Sequence, residues 1–180
     1  MVTNEMAEFM RATVRGEMTK DELHQRIVEH LASQSMCVIS TCSGDIPRAT
    51  PIEYYSEGLT LYMTVDPGVK VDNLRKNQRI SIGVCNNIRP DWANGVDWAS
   101  VRSAQITGVA KFLVEGTPEY KHALEVYKYW IFPKACGLDP EVINKGRIYI
   151  KVEPEKIEYM EFALKRRGYG SRQVLELTGH

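Results

Sequence analysis

Leu59, Leu61 and Met63 alternate with Thr60, Tyr62 and Thr64, and the run stops at Asp66-Pro67-Gly68. A period of two fits a half-buried strand and no helix. The signature returns where Ile80, Ile82 and Val84 alternate with Ser81, Gly83 and Cys85. Two more extended runs, 36–41 and 52–55, are set off by the turn signals Ser43-Gly44-Asp45 and Ser56-Glu57-Gly58. The first three runs read as an antiparallel meander. A longer run over 100–114 is interrupted by Gly108, and glycine inside a strand marks a bulge or a sharp bend, as small barrels need at their corners. Runs at 147–152 and 156–159 finish the sheet. Six or seven strands of this kind predict a mainly β chain with peripheral helices (α+β), closed or nearly closed into an antiparallel barrel.

The helices are signalled by their caps. Thr19-Lys20-Asp21-Glu22 is a capping box, and Leu23, Ile27 and Leu31 follow at helical spacing, which predicts a helix over 20–33. An earlier helix over 4–15 would carry Met6, Phe9 and Met10 on its inner stripe, with Gly16 separating the two. Thr117-Pro118 opens a helix over 118–130 with Tyr120, Leu124 and Tyr127 on one face. A short helical segment covers 69–76. The tail, FALKRRGYGSRQVLELTGH, shows no pattern, and there is neither repeat nor linker. The expected organisation is a single domain over 1–180: N-terminal helices 1–33, a barrel with inserted helices over 34–161, and a tail over 162–180.

Charge narrows the partners. The 180 residues balance 23 basic against 23 acidic side chains, so no global field draws the chain to nucleic acid or anionic lipid. Lys165-Arg166-Arg167 reads as a solvated tail, and no nucleic-acid partner is expected. No apolar stretch is long enough to span a membrane, and the charged start is unlike a secretory signal. The expected setting is the cytoplasm, with Cys37, Cys42, Cys85 and Cys136 as reduced thiols in buried structural roles. No two of His24, His30, His122 and His180 share metal-ligand spacing, so no metal is expected; His24 and His30 read as solvated positions on a surface-type helix.

Chemistry concentrates in TVDPGVK. A strand ends in a turn and a helix begins at once, with Lys70 in its first turn, where acids are usual because free N–H groups carry partial positive charge. Such a terminus is an anion site, and Gly68 permits close backbone approach. Alone, the segment is more simply a solvated lysine. A second half lies in PRATPIEYY, residues 47–55. Pro47 and Pro51 mark a strand that is an edge or leaves its pairing near 47–51, and on it Arg48 and Thr50 share a face. An edge of this kind offers backbone groups to a flat polar ligand, or is simply protected by its prolines.

The order RATPIEYY, turn, LTLYMT, turn, GVKVDNLRKNQRISIGV resembles the flavin-binding core of the pyridoxamine 5′-phosphate oxidase-like family, split-barrel proteins that bind FMN at a homodimer interface. The similarity covers 36–85 and continues through SAQITGVAKFL, over half the chain. It implies that Arg48, Ala49, Thr50 and Pro51 run along the flavin ring and that Met63 and Thr64 end the strand beside it. It implies a phosphate on Lys70 with the backbone of Gly68 and Val69, Arg48 as a second cation, and Gln105 approaching from a neighbouring strand. Glu53 stands where the namesake oxidase has a substrate-phosphate lysine, and its C-terminal arginine–histidine pair has no match in LKRRGYGSRQVLEL. The resemblance therefore implies the flavin site without the vitamin substrate site.

Three functions follow: an FMN-dependent oxidoreductase of unknown substrate, a non-catalytic carrier or binder of flavin, haem or deazaflavin on the same barrel, and an empty structural barrel. No protein acid or base is identifiable. Trp92 and Trp98 bracket Asn94-Gly95 in a loop that either covers a ligand or reaches across a dimer interface, or else folds onto its own barrel. The Tyr127, Tyr129, Trp130 and Phe132 cluster reads as packing or interface.

Overall fold

The computed structural model describes residues 4–89, 91 and 98–177. Its elements are α1 (Asn4–Arg11), α2 (Lys20–Ala32), β1 (Met36–Ser43), β2 (Ile46–Glu53), β3 (Tyr55–Glu57), β4 (Thr60–Val65), α3 (Val69–Lys76), β5 (Arg79–Cys85), β6 (Arg102–Phe112), α4 (Pro118–Tyr127), α5 (Ile131–Ala135), α6 (Pro140–Asn144), β7 (Ile148–Glu161) and β8 (Arg172–Glu176). The Thr19 capping box forms as read, and Thr117 caps α4 with proline at its start. α1 ends at Arg11, short of the expected 15. Trp92, Asn94 and Gly95 of the tryptophan loop lie outside the described residues, as does His180.

Eight strands form one antiparallel curled sheet in the order β2-β1-β5-β6-β7-β4-β3, with β8 also on β7. The expected meander is not formed. β2 and β3 are consecutive in the chain but sit at opposite ends of the strand order, with only Tyr54 between them. Tyr54 is buried, its amide donates to the Ser35 carbonyl at 2.9 Å, and its hydroxyl donates to the Leu31 carbonyl at 2.8 Å. That carbonyl lies in the last turn of α2, where helix carbonyls lack intrahelical partners. One residue thus carries the chain from one sheet edge to the other and anchors α2 across the corner. The result is a half-barrel with peripheral helices.

Gly108 marks a bulge, as expected. The β6–β7 register shifts between Thr107, opposite Lys156, and Gly108, opposite Pro154. Glu155 is the extra residue. A Cβ on Gly108 would lie 2.3 Å from the Glu153 carbonyl oxygen. The two runs expected at 147–152 and 156–159 are halves of one long strand, β7. Its first half pairs β4 and its second pairs β8, so the tail that lacked a pattern supplies a strand.

Leu23, Ile27 and Leu31 of α2 plug the barrel against Ile39, Leu61, Met63, Ile82, Ile106 and Ile150, all buried. Full burial of one such side chain contributes about 1.5–3 kcal/mol. His30 belongs to the same stripe and is 2% exposed, which corrects the solvated reading. It falls seven residues after Leu23, so the helical period already placed it inward. Its Nε2 sits 3.4 Å from the Val84 carbonyl, and its ring meets Tyr159 edge-on. Beside it, the fully buried Glu161 accepts two bonds from Arg26, at 2.8 and 2.7 Å, and one from the Tyr159 hydroxyl at 2.8 Å.

Two other readings are corrected. Only Cys37 is buried, and burial pushes its thiol up to about 12; Cys42 is half-buried, while Cys85 and Cys136 are exposed because each falls on an outward position. Nor do the tail cations extend freely. Lys165 and Arg166 lie over the Phe9 ring, at 5.4 and 5.9 Å, and Arg167 over Tyr169 at 5.5 Å. No described helix is long and apolar enough to cross a membrane.

Two predictions test this framework. Gly108→Val forces a side chain into the β7 backbone and is expected to lower stability by about 3 kcal/mol, read as a lower urea midpoint. The second concerns acid. Burial, with Arg102 adding to it, holds the His30 imidazole below its ordinary 6.5, so that contribution to stability is whole above pH 6.5 and lost as pH falls from there. Burial pushes the Glu161 carboxyl up, but Arg26 and Tyr159 outweigh it, so its contribution is present above 4.5 and lost as pH falls through the lower folded value. The urea midpoint should therefore decline in two stages, below 6.5 and again below 4.5. A flat profile across that range contradicts this. Arg26→Met removes two of the bonds to the buried carboxylate and leaves it Tyr159 and the looser Arg102 at 3.4 Å, and is expected to cost about 3 kcal/mol at neutral pH.

Candidate functional site

α3 is held at the sheet by its own asparagines. Asn73 donates to the Thr41 hydroxyl at 3.3 Å, and Asn77 donates to the Cys42 carbonyl at 3.2 Å. The NLRKN segment therefore fixes the helix against β1. Gly68 has φ 141° and ψ −170°, a conformation side-chain-bearing residues rarely adopt, and its carbonyl accepts from Val71 and Asp72 at 2.9 and 3.0 Å. This turn sets Lys70, half-buried, in the lining of a cleft of about 730 Å³.

The cleft lies where β2 meets the outer side of β4 and β7. Thr50, Pro51, Ile52 and Glu53 form one wall, while Tyr55, Thr64 and Tyr149 form the floor. The segment between β6 and β7 forms the roof, with Tyr127, Tyr129, Phe132, Ile143 and Arg147 reaching the cavity. Ring contacts knit floor to roof. Tyr127 lies 5.0 Å from Tyr55 and 5.6 Å from Tyr149, the latter edge-to-face, and Tyr120 stands edge-to-face on Tyr149 at 5.5 Å.

Hydrogen bonds fix the hydroxyls. Tyr127 donates to Glu53 Oε2 at 3.3 Å and lies 3.1 Å from Thr64 Oγ1. An ionised carboxylate only accepts, so Tyr127 spends its proton on Glu53 and Thr64 is the donor to Tyr127. Tyr149 donates to Asn144 Oδ1, whose amide reaches the Tyr120 hydroxyl at 3.4 Å. Burial, the first cause in each case, raises the phenols of Tyr55, Tyr127 and Tyr149, with Glu53 adding to it at Tyr55 and Tyr127. They stay neutral near pH 7, presenting ring faces and hydroxyls rather than charge. No histidine or cysteine lines the cleft among the described residues, and no trio of His, Cys, Asp or Glu gathers to hold a metal.

Of the residues singled out in the sequence, Thr50, Pro51, Thr64 and Lys70 share this cleft. Arg48 and Ala49 are exposed further along β2. Gly68 and Val69 are exposed beside Lys70. Met63 points the other way, into the core. Gln105 is exposed on the outer sheet face, in a row that runs Pro51, Val38, Gly83, Gln105 and Glu158 across five strands. Tyr127, Tyr129 and Phe132, read as packing or interface, line the cavity instead. Tyr62 is buried although its strand was read as half-exposed, because α4 covers the second face and sets His122 edge-on to it.

The family model for pyridoxamine 5′-phosphate oxidase matches residues 23–161. The chain belongs to the pyridoxamine 5′-phosphate oxidase-like family. Its fold is that family's split barrel. Solved structures agree on the fold. A FAD-binding protein from Mesorhizobium loti superposes with a TM-score of 0.58 at 15% identity, over 74% of this chain and 90% of that one. General Stress Protein 26 from Bacillus anthracis gives 0.57 at 19% identity, over 87% and 99%. A heme-binding protein from Mycobacterium smegmatis gives 0.62 at 15% identity, over 89% of this chain and 59% of that one. No curated protein matches by sequence.

Among the described residues, the Tyr127 hydroxyl ties α4 to both β2 and β4. Tyr127→Phe removes both bonds and leaves Thr64 and Glu53 to water. It is expected to cost about 1–2 kcal/mol in urea unfolding and to leave the secondary structure seen by circular dichroism unchanged. No measurable loss would mean that the roof is held by ring contacts alone.

Proposed function

We propose that the cleft binds FMN and that the protein is an FMN-dependent oxidoreductase working as a homodimer in the cytoplasm. One observation carries this. Four residues that the family resemblance assigns to flavin, Thr50, Pro51, Thr64 and Lys70, meet in one cavity, with an ammonium and neutral tyrosine rings in its lining. Its volume of about 730 Å³ lies inside the usual range for small-molecule sites, about 300–1,000 Å³. Flat rings suit the conjugated system. Lys70 suits the phosphate, and it has no ion-pair partner among the described residues. When bound, the flavin would supply the redox chemistry, while the chain binds it, orients it and keeps water from the buried face.

The dimer rests on the outer sheet face, where Met36, Val38 and Val174 are exposed at 53%, 40% and 53%. Haem, in contrast, wants an axial ligand. No described cleft residue is a histidine, cysteine or methionine, and the hydroxyls of Tyr127, Tyr149 and Tyr129 are taken by Glu53, Asn144 and Glu141. A carrier without turnover uses the same cavity and differs in its response to a reductant.

The test uses the purified full chain. FMN and riboflavin are titrated against the wild type and Lys70→Met by flavin fluorescence. Loss of one charge-assisted phosphate contact is expected to weaken FMN about 10–100-fold and to spare riboflavin. Equal affinity of both proteins for both flavins would remove Lys70 from the site, and no flavin binding at all would overturn the proposal. Anaerobic reduction of the bound flavin by NADH or NADPH supports the oxidoreductase; its absence supports a carrier.

A further inference from the structure

The chain places glycine at seven described positions with left-handed or otherwise positive φ, Gly44, Gly58, Gly68, Gly116, Gly137, Gly146 and Gly168. It makes one exception among the described residues. Lys128, with φ 54° and ψ 47°, follows the last residue of α4, where glycine is the usual choice. Its amide donates back to Glu125 at 3.2 Å, and Tyr129 donates to Leu124 at 3.4 Å, so the backbone closes the helix as a glycine would. The side chain is unnecessary for that closure, and a residue other than glycine is held in this conformation at some cost in stability. Lys128 lines the cleft.

Arg147 lines it too. The β4–β7 ladder ends at Val65 opposite Ile148, so Arg147 comes one step beyond, opposite Asp66 and near the start of α3. Its Nε donates to the Ile143 carbonyl at 3.2 Å, which orients the guanidinium and leaves both terminal nitrogens free for an oxyanion. Neither Lys128 nor Arg147 has a carboxylate within 4.0 Å among the described residues, although Lys111, Lys151, Lys156, Arg26, Arg79 and Arg102 all do. Two exposed cations without an ion pair among the described residues therefore line one cavity, whose own carboxylates are Glu53 and Asp66.

We propose that Lys128 and Arg147 form an oxyanion-reading pair on the roof, which takes a phosphate or carboxylate of the small molecule held in the cleft. The inference rests on the reading of this cleft as a ligand site. It adds two residues to that site and a requirement on its ligand. The oxyanion has two possible sources: the phosphate of the flavin itself, or an anionic group on a second reactant bound beside it.

Lys128→Gly and Arg147→Gln, in the full chain, separate these. Glycine relieves the backbone, so Lys128→Gly is expected to raise the melting temperature by about 2–4 °C, which also shows that the variant folds. If the pair reads the flavin phosphate, each variant weakens FMN about tenfold or more and leaves riboflavin alone. If it reads a second reactant, both flavins bind as in the wild type. Inorganic pyrophosphate, the probe anion titrated into the flavin-loaded protein by calorimetry, then weakens about tenfold or more. If neither measurement moves in either variant, the proposal is overturned, and Lys128 only closes a helix. A wild type that binds no flavin sinks the FMN reading instead, and pyrophosphate titrated into the flavin-free chain, by the same criterion, then decides the roof pair.

Discussion

The sheet closes on itself through one residue. β2 and β3 stand at the two ends of the strand order, yet the chain passes between them with only Tyr54 as connection. A flat or open sheet cannot satisfy that constraint, because its end strands would be several strand spacings of about 4.8 Å apart. The sheet must curl until its ends meet. The bulge at Gly108 supplies part of the curl, and burial of Tyr54 beneath α2 makes the corner rigid. The cleft is a consequence of the same geometry. It forms where the ends come together without pairing, with β2 against β4 and the 118–147 segment lying across.

The sequence reveals local features well and neighbours poorly. Capping at Thr19 and Thr117, the bulge at Gly108 and the edge character of 47–51 are each written in a few adjacent residues whose chemistry narrows the outcome. Which strand pairs with which is not local. The alternation at 59–64 states that one face is apolar; it does not state that α4 covers the other. The same limit explains His30. Read as a polar residue it belongs outside, but its neighbours make a core with a place for an imidazole. β8 escapes notice because Gln173, a polar residue, is buried while it accepts from Met18 and donates to Gly16.

The candidate site divides along the same line. Thr50, Pro51, Thr64 and Lys70 lie in segments whose order is characteristic of the family, so a resemblance of motifs finds them. Tyr127, Lys128 and Arg147 lie in the inserted helical segment, where no motif helps, and only folding brings them over the other four. One signal was present. Tyr120, Leu124 and Tyr127 share a helix face, and a face bearing two tyrosines packs best over a surface with polar partners for their hydroxyls. Glu53 accepts from Tyr127, while Thr64 and the Asn144 amide donate to Tyr127 and Tyr120.

The prolines of β2 explain why the seam stays open. The β1–β2 ladder is continuous from Met36 opposite Glu53 to Ser43 opposite Ile46, although Pro47 and Pro51 lie within it. Proline has no N–H to give, so both must occupy positions whose amide direction faces away from β1. Those positions alternate, which places Ala49 on the same outward edge. Of three consecutive donors that β2 could turn toward the seam, two are therefore missing. The loss of these donors disfavours a strand zipping onto that edge, and neither β3 nor β4 pairs with it. Residues 50–53 remain a wall rather than a rung, and the side chains of the roof stand over the space beside them. A barrel that sealed here would be more regular and would have no cleft.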